Sequence, residues 1–174
     1  MLTSVSQIYT GKITVNGNLY YSVEVDTSTL LKGTTVLDSN GQNIKNKAGV
    51  YIFVVNRNVP NFNNSFFNKD VTGYFWRQGT LFSIAVGVPH FKECPQKDCI
   101  FYVGSAGQIT SRLKEHWNNA KINGCTSLKL GFDSRKWIKK ILRVFVIPES
   151  INKNLEHKEL EKDIRSQYGT AYGD

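Results

Sequence analysis

The run Gly49-Val50-Tyr51-Ile52-Phe53-Val54-Val55 constrains this chain more than any other feature. It is apolar throughout, rich in β-branched and aromatic residues, and too short for an ordinary helix, so it predicts a buried strand. A chain of 174 residues is long enough to bury such a strand in a core of its own without disulfide staples. On the N-terminal side, Ile8 to Val15 and Leu19 to Val25 read as a β-hairpin turning at Asn16-Gly17, the dipeptide that supplies positive φ angles. Residues 26–47 read as a linking loop. Downstream, Val71 to Trp76 and Leu81 to Val88 predict a strand pair around Gln78-Gly79, and Ile100 to Val103 a short buried strand closed by Gly104. Ile109, Leu113 and Trp117 recur every four residues and predict a helix over 108–119. Leu128 to Phe132 reads as a second short helix, and Ile141 to Ile147 as a strand stopped by Pro148. A last helix, capped by Ser150, runs to about Gln167 with Leu155, Leu160 and Ile164 inward. The expected fold is α/β in the α+β sense: a small central mixed or antiparallel sheet flanked by helices.

Charge narrows the function. The chain has 22 Lys+Arg against 14 Asp+Glu, a net +8, which favours a polyanionic partner. From Ser105 to Phe145 there are nine cations against Glu115 and Asp133, so this stretch carries +7 of that excess. Arg112, Lys114, Lys129, Arg135, Lys136 and Lys139 lie there among Trp117, Phe132 and Trp137. Basic residues interleaved with aromatics suit contact with nucleic acid, although a solvated basic helix face has the same composition. No apolar run approaches the ~18–20 residues of a spanning helix, so no membrane role is expected. Met1 to Gln7 lacks the charged and apolar regions of a signal peptide, which makes a cytoplasmic location the expectation. Cys94, Cys99 and Cys125 form no disulfide framework, and together with His90 they lack the CxxC spacing of a zinc knuckle.

Gly49-Val50-Tyr51 followed by Tyr102-Val103-Gly104 resembles the paired motif of the GIY-YIG nuclease superfamily. Gly104-Ser105-Ala106 then leads into a helix bearing Arg112 and His116, four apart and therefore on one face. The stretch Leu160 to Tyr168, with Glu161 near its start, resembles the closing helix of that family. The resemblance covers residues 48–56 and 99–172. It departs from compact members in two ways. Tyr51 and Tyr102 lie 51 positions apart, making 57–98 an insertion, and the Asn that many relatives carry about twelve positions after the Glu is absent, since position 173 is Gly. On this reading residues 1–47 are an N-terminal β arm and linker, and 48–174 the nuclease domain.

The resemblance implies a metal-dependent DNA endonuclease, restriction-type or encoded by a phage or mobile element. Hydrolysis of a phosphodiester needs an aligned water, a route for its proton, and positive charge on the phosphoryl oxygens. Glu161 is implied as the ligand of Mg²⁺ or Mn²⁺, with Glu156 and Glu159 as rivals. Arg112 is implied to stabilise the transition state, and Tyr51 to take the proton of the water once Arg112 or the metal has lowered its pKa. Tyr102 would hold or polarise the scissile phosphate, or share the proton path, and His116 would relay a proton or bind phosphate. Gly104, Ser105, Lys114, Lys129, Arg135, Lys136, Lys139 and Arg77 are candidate DNA contacts. The Asn cluster Asn61, Asn63, Asn64 and Asn68 offers base-reading groups in the insertion. One site cuts one strand, so a homodimer is expected on duplex DNA. Taken singly each residue has a plainer fate: a core tyrosine, Arg112 paired with Glu115 or Glu161, a half-buried histidine, a charged helix face. The competing classes are a repair nuclease of the same fold, a non-catalytic nucleic-acid-binding module, and a protein-interaction domain.

Overall fold

A computed structural model describes residues 3–56, 74–77, 80–83, 98–120, 127–133 and 136–170. The strands are β1 (Lys12–Val15), β2 (Asn18–Tyr21), β3 (Val23–Glu24), β4 (Gly49–Val55), β5 (Tyr74–Arg77), β6 (Thr80–Ser83), β7 (Ile100–Ala106) and β8 (Leu142–Pro148). The α-helices are α1 (Ile109–Asn118), α2 (Lys136–Lys139) and α3 (His157–Tyr168). The fold is mixed α+β. Its centre is a four-stranded antiparallel sheet in the order β3-β8-β4-β7, and β1-β2 and β5-β6 are separate antiparallel hairpins.

β4 spans the predicted apolar run, and every one of its residues is buried. Alternation along a strand explains why both faces must be apolar. Tyr51, Phe53 and Val55 enter a core with Leu113 and Trp117 of α1. Val50, Ile52 and Val54 enter a second core with Leu160, Ile164 and Tyr168 of α3 and with Ile13 and Val15 of β1. α1 therefore covers one face of the sheet, while α3 and the first hairpin cover the other. Each large side chain fully withdrawn from water in this way stabilises the fold by roughly 1.5–3 kcal/mol before entropy is counted.

The N-terminal third is not a separate arm. β3 is an edge strand of the central sheet, pairing Val23 with Val146 and Glu24 with Phe145. Glu24 also holds Arg143 of β8 through two hydrogen bonds, 2.7 and 2.6 Å. Leu30, Val36 and Ile44, from the expected linker, lie in the α1-side core. The turn at Asn16 (φ 49°) and Gly17 (φ 80°) takes the positive angles its sequence predicts. The strand expected from Ile8 starts later, because Ser6–Thr10 forms a 3₁₀ turn ended by Gly11 at φ 84°.

Two helix expectations are corrected. Residues 128–132 contain a turn and no helix; Lys129 takes a left-handed φ of 53°, which no helix continues through. Ser150 lies in a 3₁₀ turn (Glu149–Ile151), and α3 begins at His157 after Glu156. β5 and β6 pair as expected, with Trp76 opposite Leu81, and residues 71–73 and 84–88 of the expected strands lie outside the described residues. The side chain of Arg77, the residues Arg135, Cys94 and Cys125, and the Asn cluster lie outside the described residues. Cys99 is a buried free thiol.

Candidate functional site

Strand register brings the two tripeptides together. On β4 and β7, Tyr51 lies opposite Gly104, and Phe53 opposite Tyr102. The close approach at the first pair requires glycine: a Cβ at Gly104 would fall among Oη, Cζ and Cε2 of Tyr51. Gly49 is crowded as well, since a Cβ there would come within 2.7 Å of the Ile147 carbonyl oxygen.

Four aromatic rings meet at this end of the sheet. Tyr102 lies 6.3 Å from Tyr51, 6.3 Å from Phe53 and 5.2 Å from His116, measured between ring centroids. His116 comes from α1 and is fully buried. Its Nδ1 accepts the Leu128 backbone N–H at 2.9 Å, and its Nε2 lies 3.0 Å from Tyr51 Oη. An imidazole that accepts at Nδ1 carries its single proton on Nε2 when neutral. His116 therefore donates to the Tyr51 oxygen. Burial, reinforced by the nearby Arg112 charge, holds the His116 pKa well below its usual value. With both nitrogens engaged, its place is that of a fixed donor to Tyr51.

This neutral histidine predicts a pH dependence. The unfolded chain binds a proton near pH 6.5 that the native state refuses. Stability is thus full above pH 6.5 and falls as pH drops below it, by about 1.4 kcal/mol per pH unit for one proton. Chemical denaturation between pH 7 and pH 5 is expected to show this slope, and His116→Gln to flatten it. An unchanged slope in the variant would place the proton uptake elsewhere.

Arg112 lies one turn earlier on α1. Its Nη1 donates to Glu115 Oε2 at 2.6 Å, and its positive charge acts on the Tyr51 hydroxyl. The Tyr51 hydroxyl thus meets one donor, His116, and feels the Arg112 charge. Arg112 pulls the Tyr51 pKa down as expected, but burial, helped by Tyr102, outweighs it and leaves the phenol above its ordinary value. Tyr51 is therefore a neutral phenol at neutral pH in the free protein, not the lowered one expected from its sequence setting.

Glu161 lies on α3, whose buried residues pack on the face of the sheet opposite to Tyr51. Its Oε2 accepts the Ser105 hydroxyl at 2.5 Å and its Oε1 accepts Nη2 of Arg165 at 3.0 Å. Its side chain is 22% exposed, and its charge acts on Tyr51. The rivals are less well placed: Glu159 faces solvent beside Lys162, and Glu156 is exposed at the helix start. Ser105 thus sits on the carboxylate itself. Arg165, which the sequence motifs do not single out, also donates to the Val103 carbonyl at 2.7 Å and lies 5.6 Å from the Tyr102 ring centre. Its one signal in the sequence is the four-residue spacing from Glu161.

The candidate DNA contacts fare unevenly. Lys129 is only 2% exposed, which corrects its assignment: the left-handed turn at 129 folds it inward, away from any duplex. Lys136 is exposed and pairs with Asp133 at 2.8 Å. Lys139 lies over the Trp117 ring, 5.2 Å from its centre, and burial lowers its pKa. Lys114 donates to the Thr34 carbonyl.

Among the described residues no cluster of three or more His, Cys, Asp or Glu side chains is poised to cage a metal. A lone carboxylate is compatible with Mg²⁺, which keeps most of its waters. Glu161 fits that role, since Ser105 and Arg165 occupy two of the roughly four lone-pair positions on its oxygens. No helix among the described residues is long and apolar enough to cross a membrane. Comparison of the chain with family models, curated proteins and solved structures finds no match.

Proposed function

We propose that this chain is a metal-dependent endodeoxyribonuclease of the GIY-YIG type, hydrolysing DNA phosphodiester bonds at specific sites. The observation that carries the reading is the set of groups around one hydroxyl: His116 donates to Tyr51 at 3.0 Å, and the Arg112 and Glu161 charges act on the same group. Core packing alone does not call for a buried phenol under a guanidinium charge and beside a fixed imidazole.

Each residue then has a role. Arg112, oriented by Glu115, presents its guanidinium to the phosphoryl oxygens, where negative charge grows. Tyr51 aligns the attacking water, and its oxygen takes the proton of that water after releasing its own. His116 and Arg112 hold the phenolate that this requires. Tyr102 holds the scissile phosphate. Glu161, steadied by Ser105 and Arg165, would hold Mg²⁺ or Mn²⁺; when bound, the ion would supply positive charge to the phosphate and the leaving oxygen. Lys136 and Lys139 supply backbone contacts, and two protomers act on a duplex.

The test is cleavage of supercoiled plasmid and phage genomic DNA, with Mg²⁺ and with chelator. Discrete, metal-dependent fragments are expected. Because burial keeps the Tyr51 proton in place, the cleavage rate is expected to rise about tenfold per pH unit from pH 7 to 9. A rate already level at pH 7 would remove Tyr51 from proton transfer. Salt-sensitive binding without cleavage under any condition would leave a nucleic-acid-binding module.

A further inference from the structure

On the other flank of α1 lies a cavity of about 390 Å³ that no motif pointed to. Its rim carries Thr34, Thr35, Lys45, Lys47 and Lys114, and no Asp or Glu lines it among the described residues. The floor is made by Val36 and Ile44, which are buried, and the Ile44 N–H donates to the Val36 carbonyl at 2.9 Å. Lys45, Lys47, Thr34 and Thr35 are exposed. Asn46 fastens this loop to α1, its side-chain oxygen accepting the Thr110 and Ser111 N–H groups at 3.1 Å each. The Ile109 N–H is taken by the Lys47 carbonyl at 3.0 Å. The first amides of the helix are thus occupied, and any affinity for an anion rests on the lysine ammoniums and threonine hydroxyls.

We infer that this groove seats the sugar–phosphate backbone of DNA beside the cleaved bond, an inference that rests on the nuclease reading above. The placement supports it. Thr110 and Lys114 face the groove from one side of α1, and Arg112, two residues from Thr110, projects from roughly the opposite side. A helix is about 10–12 Å across with its side chains. A backbone in the groove therefore lies roughly three nucleotides from the phosphate at Arg112, at 3.4 Å of axis per nucleotide. Lys47 also stands two residues before β4, so groove and catalytic strand are joined by a short, ordered connection. Flexible ammoniums and hydroxyls contact phosphates without reading bases, so the groove adds affinity and register, not sequence preference.

The experiment measures binding of a short fluorescein-labelled DNA duplex in chelator, across a range of salt concentrations. The proteins are the wild type, Lys45→Ala/Lys47→Ala and, as a control, the hairpin variant Lys12→Ala. Removing one lysine that neutralises a phosphate lowers the slope of log affinity against log salt by about 1. The groove variant is expected to reduce that slope by about 2 and to bind on the order of 10²-fold more weakly near 0.1 M salt, with the control unchanged. A wild-type slope in the groove variant overturns the inference, as does an equal reduction in the control or failure of the wild type to bind DNA. Plasmid cleavage by the same proteins in Mg²⁺ separates the two readings. Cleavage with an unaffected salt slope rejects the groove alone, whereas a reduced slope without any cleavage rejects the catalytic reading alone.

Discussion

Arg112→Ala and Glu161→Ala are each expected to slow metal-dependent DNA cleavage by on the order of 10³-fold or more while leaving the protein folded. A preorganised donor that meets charge growing in a transition state is worth about 10²–10³ in rate. Arg112 combines that role with support of Tyr51. Removing it leaves Glu115, which is half exposed and solvates readily, so the melting temperature should change little. Glu161→Ala leaves Arg165 with its bond to the Val103 carbonyl. Glu161→Gln sharpens the test, because it keeps the shape and an acceptor for Ser105 but drops the charge. Cleavage by Glu161→Gln at the wild-type rate and with wild-type Mg²⁺ dependence would end the assignment of Glu161 as metal ligand. Loss of cleavage together with loss of Mn²⁺ binding, read by calorimetry without DNA, would support it. Wild-type cleavage by Arg112→Ala would reduce Arg112 to the helix-surface partner of Glu115.

Much of the sheet is legible in the sequence because its signals are local. β4 is readable from seven apolar residues without interruption, and the β1–β2 turn from Asn16-Gly17, whose backbone angles follow from steric freedom alone. The five candidate site residues lie on the predicted β4, β7, α1 and last helix, at spacings those elements set. Tertiary context decides the rest. Residues 128–132 have helix-compatible side chains, yet Leu128 donates its N–H to His116 and Leu130 its N–H to the His116 carbonyl, which draws the backbone into a turn. Lys129 counts as surface charge in the sequence, and only that turn buries it. The 26–47 segment reads as a linker because Leu30, Val36 and Ile44 are too widely spaced to show a period; each packs only because its neighbours fold back on α1. The direction of the Tyr51 pKa is hidden for a related reason: sequence supplies the arginine but not the degree of burial that opposes it.

Gly104→Ala is expected to destabilise the protein by about 3 kcal/mol, the upper end of what one inserted methyl costs in a packed interior. For a chain of this length that lowers the melting temperature by roughly 10 °C. The added Cβ meets the hydroxyl end of Tyr51, and the ring cannot step aside. Phe53 packs edge-on at 6.2 Å, His116 lies at 5.3 Å and Tyr102 at 6.3 Å, and the hydroxyl is tied to His116. Activity should fall further than stability implies, because a displacement of about 1 Å at an aligning group costs on the order of 10²-fold. A double-mutant cycle isolates the cause. In a Tyr51→Ala background, Gly104→Ala should cost less than about 1 kcal/mol, since Ala suits a strand better than Gly once the ring is gone. The resulting coupling of about 2–3 kcal/mol is the size expected for residues in direct contact. Additive costs would mean that glycine is required by the β7 backbone and not by Tyr51. The distinction reaches past stability. If the coupling is present, Gly104 and Tyr51, 53 positions apart in the chain, form one structural unit, and the second tripeptide ends in glycine because the first ends in tyrosine.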